Sequence, residues 1–227
     1  MKYISIIFII FIISGCSTHM TSVAYEGNGF STNESEPLIN SVIVSDERGT
    51  DSNWLGAIRG GYGNRIKTLR TEESTDIVVE KMFRDALDKS NLLSSSTKSP
   101  YKIKVIITKF DCSYYFNREA HAYVNVSLID SSTSNVYFSK VYKTDEVEAG
   151  VGAGIFGSVD TLRNLAETAM NKTIDKTLSD EGFINALENS HKDRTTERLN
   201  KIDSLYKNKM ISKEEYIEKR SAILSAI

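Results

Sequence analysis

Between residues 101 and 147 apolar and polar side chains alternate along the chain. In Tyr101 to Lys109 the odd positions Tyr101, Ile103, Val105 and Ile107 are apolar, Lys102, Lys104 and Thr108 intervene, and Ile106 stands out of phase. In His121 to Ile129 the apolar set is Ala122, Val124, Val126 and Leu128. Val136 to Val147 is the next strand, reached through the turn-forming cluster Asp130 to Asn135. A period of two predicts strands, and these three predict an antiparallel meander with one buried face. "LINSVIVSD", Leu38 to Asp46, predicts an earlier strand rich in β-branched residues.

The period changes on either side of the meander. Val79, Met82, Phe83, Ala86 and Leu87 share one face of a helix predicted over Ser74 to Ser90, with Ser74 or Thr75 as cap and Asp76 in the first turn. Leu162, Leu165, Ala166, Ala169, Thr173, Ile174 and Leu178 do the same over Ser158 to Leu178, capped by Ser158. "DEGFINALEN" predicts a further short helix. The order β-α-β-β-β-α predicts an α+β fold: a two-layer sandwich of a mostly antiparallel four-stranded sheet with two long helices on one face, followed by a C-terminal helical hairpin. The division expected is a signal peptide over 1–15, a modified N-terminus and flexible polar tether over 16–37, a body over 38–190 and the hairpin over 191–227.

Glu47 to Glu73 holds five glycines and little periodicity, and reads as a long connection. Within it "WLGAIRGGYGNRIKTLR" offers Trp54, Ile58, Arg59, Tyr62 and Arg65, residue types enriched at binding hot spots. These are candidate partner-binding residues; the alternative is a loop folded over the sheet with Trp54 plugging the core edge. The segment lacks G-K-[ST] and so is not a phosphate-binding P-loop.

The N-terminus changes the picture most. Lys2 precedes a ten-residue run, Ile4 to Ile13, broken only by Ser5. A membrane-spanning helix needs about 20 apolar residues, so the run fits the h-region of a signal peptide. It ends in "IISGC". This resembles the lipobox of bacterial lipoproteins, which implies cleavage before Cys16, a diacylglycerol on its sulfur and acylation of its amine. Several acyl chains give stable anchoring to the membrane. Ser rather than Asp at position 17 favours, by the same resemblance, the outer membrane, with the domain facing the periplasm. The alternative is an ordinary signal peptide with a chance cysteine. With Cys16 lipidated, the second of the two cysteines, Cys112, has no partner for a disulfide within the chain.

The formal net charge is −2, becoming −3 without Lys2, which offers no basic footprint for nucleic acid. "GVGAGIFGS" contains a literal G-x-G-x-x-G at Gly152, Gly154 and Gly157. A dinucleotide site needs this turn between the first strand and helix of a parallel βαβ unit. Here it follows the last strand, so the glycines read as a strand-to-helix connection and no nucleotide or other cofactor is expected. His19, His121 and His191 show no metal-ligand spacing. Asp111, Cys112 and His121 could make a thiol nucleophile with a base, but Cys112 lies in a strand-like run where a buried thiol is commoner. No enzyme activity is expected.

In "ERLNKIDSLYKNKMISKEEYIEKRSAIL" Leu199, Ile202, Leu205 and Tyr206 form one helical stripe. Ser212 and Glu215 make a capping box, with Ile211 and Tyr216 placed for a hydrophobic staple. Ile217, Ile223 and Leu224 continue a second helix. "MISKEEYIEKRSAIL" resembles the SHOCT (short C-terminal) domain, which implies self-association or contact with a protein partner through Leu199, Ile202, Leu205, Tyr216, Ile217, Ile223 and Leu224. A hairpin this small has too little core to stand alone, and packing on its own body is the alternative. The body, through "VIVSDERG", "VVEKMFRDAL", "YKIKVIITKF" and "LRNLAETAMNKTIDKTLSD", resembles YajG-type periplasmic lipoproteins; that resemblance implies an α+β fold and an envelope location, not an activity. The expectation is a non-enzymatic, outer-membrane-anchored lipoprotein that holds or recruits a partner through the glycine-rich loop and the hairpin. A lipid-handling or transport-accessory lipoprotein is the alternative and would need an apolar groove for acyl chains; a Cys/His hydrolase would need Cys112 exposed beside His121.

Overall fold

The alternation of Tyr101, Ile103, Val105 and Ile107 continues beyond Lys109, but with its phase reversed. In the computed structural model, which describes residues 17–30, 37–96, 99–149 and 158–225, a bulge after Ile107 inserts one residue. The inward positions then become Phe110, Cys112 and Tyr114. This makes one long strand, β5, Tyr101–Tyr114. It pairs antiparallel with β6, Arg118–Asp130, which pairs antiparallel with β7, Val136–Glu148. The meander is as expected. Its second turn is closed by Asp130, whose Oδ1 accepts from the Ser132 and Thr133 amides at 2.7 and 2.8 Å.

The sheet is larger than the predicted four antiparallel strands. Among the described residues it has seven strands and is mixed. β2, Ile39–Asp46, runs parallel to the first half of β5. The glycine-rich connection is a hairpin of two strands, β3, Trp54–Arg59, and β4, Arg65–Thr71, and β3 runs parallel to the last part of β5. The segment read as the start of a tether holds a strand too: β1, Ser17–Thr21, pairs parallel with β4 at the sheet's edge. Val23 and Tyr25 then enter the core, and the Tyr25 hydroxyl donates to Asp175 Oδ1 at 2.6 Å.

Between the stretches of β5 paired to β2 and to β3 there is a gap. Arg48 fills it. Its guanidinium forms a two-pronged pair with Asp46 (Nε–Oδ1 2.8 Å, Nη2–Oδ2 2.7 Å) and donates through Nη1 to the carbonyls of Trp54 and Phe110, each at 2.7 Å. One buried side chain thus joins the end of β2, the start of β3 and the bulged part of β5. Burial opposes ionisation of Asp46, but the hydrogen bonds from Arg48 hold its carboxyl below the usual range.

Helices α1, Thr75–Lys89, and α2, Val159–Leu178, bury the predicted faces in the same core as the inward side chains of the sheet. Ser158 caps α2, its hydroxyl accepting from the Asp160 amide. The short helix expected at "DEGFINALEN" is instead the start of one 27-residue helix, α3, Glu181–Lys207, which crosses the expected boundary between body and hairpin. Asp180 caps it, and Phe183 and Leu187 plant it in the core. α4, Lys213–Leu224, turns back along α3.

Candidate functional site

Three regions carry the candidate residues. In the glycine-rich hairpin, Gly56 is required by close approach: a Cβ there would collide with the Cys112 carbonyl and lie 2.6 Å from its Sγ. The turn closes through Gly60 N to Asn64 O at 2.8 Å, with Gly63 at φ +79° and the Arg59 guanidinium donating to its carbonyl at 3.1 Å. Ile58 is fully buried in the core and is not available to a partner, because the segment is a strand whose inward positions pack under the helices. Trp54 is half-buried rather than plugging the core, with Arg65 4.6 Å and Arg70 5.8 Å from its ring centre. Tyr62 sits at the tip of the turn with its whole side chain in solvent.

On the sheet face away from the helices, strand register places Asp111, His121 and Asp145 in one row, and Lys109, Tyr123 and Lys143 in the next. Asp145 Oδ1 lies 2.5 Å from His121 Nδ1 and accepts from the Tyr123 hydroxyl at 2.6 Å. Those two hydrogen bonds, Tyr123 first, lower the Asp145 carboxyl, and the Tyr123 phenol is raised in return. A groove of about 220 Å3 runs beside this row, lined by Trp54, Arg59, Lys109, Asp111 and His121 among others. Cys112 also borders the groove, but its thiol is turned away from it. Its thiol points inward to the Leu55 carbonyl at 3.5 Å, burial pushes its pKa far up, and the imidazole of His121 projects from the opposite face. The thiol–imidazole pair needed for the hydrolase reading is not formed.

At the C-terminus the capping box forms as expected: Glu215 N to Ser212 Oγ at 3.1 Å and Ser212 N to Glu215 Oε2 at 2.9 Å. Lys209, at φ 55°, turns the chain. Tyr206 and Tyr216 stack at 4.6 Å, and Asp203 accepts from the Tyr216 hydroxyl at 2.9 Å and from Arg220 at 2.8 Å. Leu199, Ile202 and Leu205 are half-buried and Ile223 is buried, so the stripe packs α3 against α4. Ile217 and Leu224, one heptad apart, are left outside at 56% and 48% exposure. They line an open depression of about 420 Å3 with Tyr216, Arg220, Ser221 and Ser225.

Cys16 and Gly150 to Gly157 lie outside the described residues. Among the described residues no helix is long and apolar enough to cross a membrane, and no three His, Cys, Asp or Glu side chains are grouped to hold a metal ion. Two features escaped the sequence reading. One is the Asp46–Arg48 pair, signalled only by its spacing in "VIVSDERG". The other is Tyr115 and Phe116 in the β5–β6 turn, which meets the Tyr62 turn through the Tyr115 hydroxyl and the Gly61 carbonyl by pairings no local pattern reveals.

No family model matches the chain, and no curated protein matches it. Solved structures do. Protein XCC0632 from Xanthomonas campestris, of family-model DUF330, aligns over 77% of this chain and 99% of its own with a TM-score of 0.54 at 15% identity. Protein CT253 from Chlamydia trachomatis aligns over 66% and 98% at TM-score 0.41 and 10% identity. Lipoprotein GNA1162 from Neisseria meningitidis aligns over 60% and 99% at TM-score 0.24 and 10% identity. At these identities the first likeness speaks for the fold alone, and the other two carry no argument.

Proposed function

We propose that this chain is a lipoprotein anchored through Cys16 to the outer membrane, with a non-enzymatic role in the envelope: its body presents the α3–α4 hairpin to a second copy or another protein. The observation that carries the docking role is that α4 closes on α3 and leaves Ile217 and Leu224 outside, so the hairpin satisfies its inner stripe and keeps a second apolar row free. Burying one such side chain is worth roughly 1.5–3 kcal/mol, enough for two rows to bias an association without enforcing it. The anchor rests on "IISGC" and on the position of Cys16, one residue ahead of the sheet. Of the glycine-rich hairpin's candidate residues, Ile58 is held in the core and contributes nothing to this docking role.

The test is a double substitution, Ile217→Asp with Leu224→Asp, in full-length protein extracted from membranes in detergent. Both positions face solvent, so the melting temperature should hold. Light scattering should show a smaller assembly than the unsubstituted protein, or crosslinking should lose a co-purifying protein. An unchanged mass and an unchanged crosslinking pattern would defeat the docking role.

A further inference from the structure

Cys16 immediately precedes the first residue of β1. A trans peptide advances the chain by about 3.8 Å, so a lipidated Cys16 would leave no tether between the acyl chains and the sheet. The pairings then identify what lies at the same end. Ser17 is opposite Lys67 at the start of β4, and Arg59 opposite Arg65 closes the β3–β4 turn there. β3 is parallel to β5, with Ile58 opposite Tyr114, so the β5–β6 turn falls at this end as well. The two turns touch: the Tyr115 hydroxyl donates to the Gly61 carbonyl at 3.0 Å.

Both turns carry aromatic side chains into solvent. Tyr62 is 102% and Phe116 64% exposed, and the Tyr115 ring lies tilted against Phe116 with centres 4.1 Å apart. Phe116 has no polar group to compensate for its exposure. Arg59, Arg65 and Lys67 surround the first turn, while Glu148 is paired to Arg118 at 3.0 Å and Glu119 lies beside it. Exposed aromatic tips among cations, next to an acylation site, match the chemistry of a bilayer interface, where aromatic rings sit at headgroup level and cations meet anionic lipid.

We propose that this end of the sheet, built on Tyr62, Tyr115 and Phe116 with Arg59, Arg65 and Lys67, is a membrane-contacting surface that sets the body end-on against the bilayer. The proposal rests on the reading of Cys16 as a lipid anchor. The opposite end, with the Asp130–Asn135 turn and Tyr137, faces away from the lipid.

The single tryptophan makes the test direct. In full-length protein carrying Trp54→Phe, a new tryptophan is placed by Tyr62→Trp, Phe116→Trp or, at the far end, Tyr137→Trp. Each protein is incorporated into phosphatidylcholine–phosphatidylglycerol vesicles whose acyl chains are brominated near the headgroup. All three positions are exposed, and melts confirm the fold. Emission from positions 62 and 116 should fall at least about twofold relative to unbrominated vesicles, and emission from 137 should hold. Equal quenching at all three, or none at 62 and 116, overturns the surface. So does a concentration-dependent blue shift at 116 without quenching, which would identify a second copy there instead. Labelled palmitate on the same preparations separates the two readings. Label without quenching at 62 and 116 sinks the surface and leaves the anchor standing. Quenching without label sinks the anchor and leaves the surface standing, and neither signal sinks both.

Discussion

Replacing Arg48 by Met should be among the most damaging single changes in the body, although Arg48 touches no candidate functional residue but Trp54, and that only through its carbonyl. The arginine side chain is 4% exposed and Asp46 14%. Methionine keeps much of the stem but leaves the Asp46 carboxylate without its counter-ion and removes the Arg48 donor from the Trp54 and Phe110 carbonyls. Breaking a buried ion pair by removing one partner costs about 3–5 kcal/mol. For a domain of this size each kcal/mol moves the melting temperature by about 2–4 °C, so the expected fall is roughly 6–20 °C. Arg48→Lys should fall between, because an ammonium cannot reproduce the two-pronged pair and still reach both carbonyls. The assay is thermal melting by circular dichroism at neutral pH, repeated at lower pH. Asp46 is held below its ordinary range, so the pair's contribution is present above the unfolded carboxylate pKa and is lost as pH falls through the folded one. The gap between wild type and Arg48→Met should therefore narrow in acid. A variant that melts with the wild type at neutral pH, or a gap that does not change in acid, would refute the claim that Arg48 closes the junction of β2, β3 and β5.

Two further outcomes are expected. Gly56→Ala should destabilise the body by about 1–3 kcal/mol, because its Cβ would push against the Cys112 carbonyl and part β3 from β5; an unchanged melt would contradict that close approach. Burial first, and then the hydrogen bond to Asp175, raise the Tyr25 phenol to about 12. Its contribution is present below the unfolded value near 10 and is lost as pH rises toward 12, so Tyr25→Phe should flatten the alkaline part of the stability profile, and an identical profile would show that the contact does not form.

What the sequence made legible was whatever a local period encodes. Both long helices and the three-stranded meander follow from apolar spacing, and the capping box at Ser212 and Glu215 from four residues. β2 follows from the β-branched run within Leu38 to Asp46, but β1, β3 and β4 had no such signal. "STHMT" is an edge strand with no buried alternation, and β3 and β4 hide in a glycine-rich run whose glycines serve a turn and a close contact. Their parallel pairings join residues some fifty positions apart, as in Thr18 with Thr68 and Gly56 with Cys112. The continuity of α3 was hidden by the polar stretch after Leu187, where helix persists without a strong apolar face. Among the candidate residues, Leu199, Ile202, Leu205 and Ile223 are taken up between α3 and α4 and Ile58 in the core, because apolar spacing marks a buried face without telling whether the chain itself or a partner covers it.

Anchoring through Cys16 is the claim on which the location, the orientation and the role all depend. Mass spectrometry of the N-terminal peptide of protein purified from membranes tests it most directly. The account predicts a mature chain that begins at Cys16 and carries a diacylglycerol on sulfur and an acyl group on the amine. A chain that begins elsewhere, or a Cys16 with a free thiol, would contradict it.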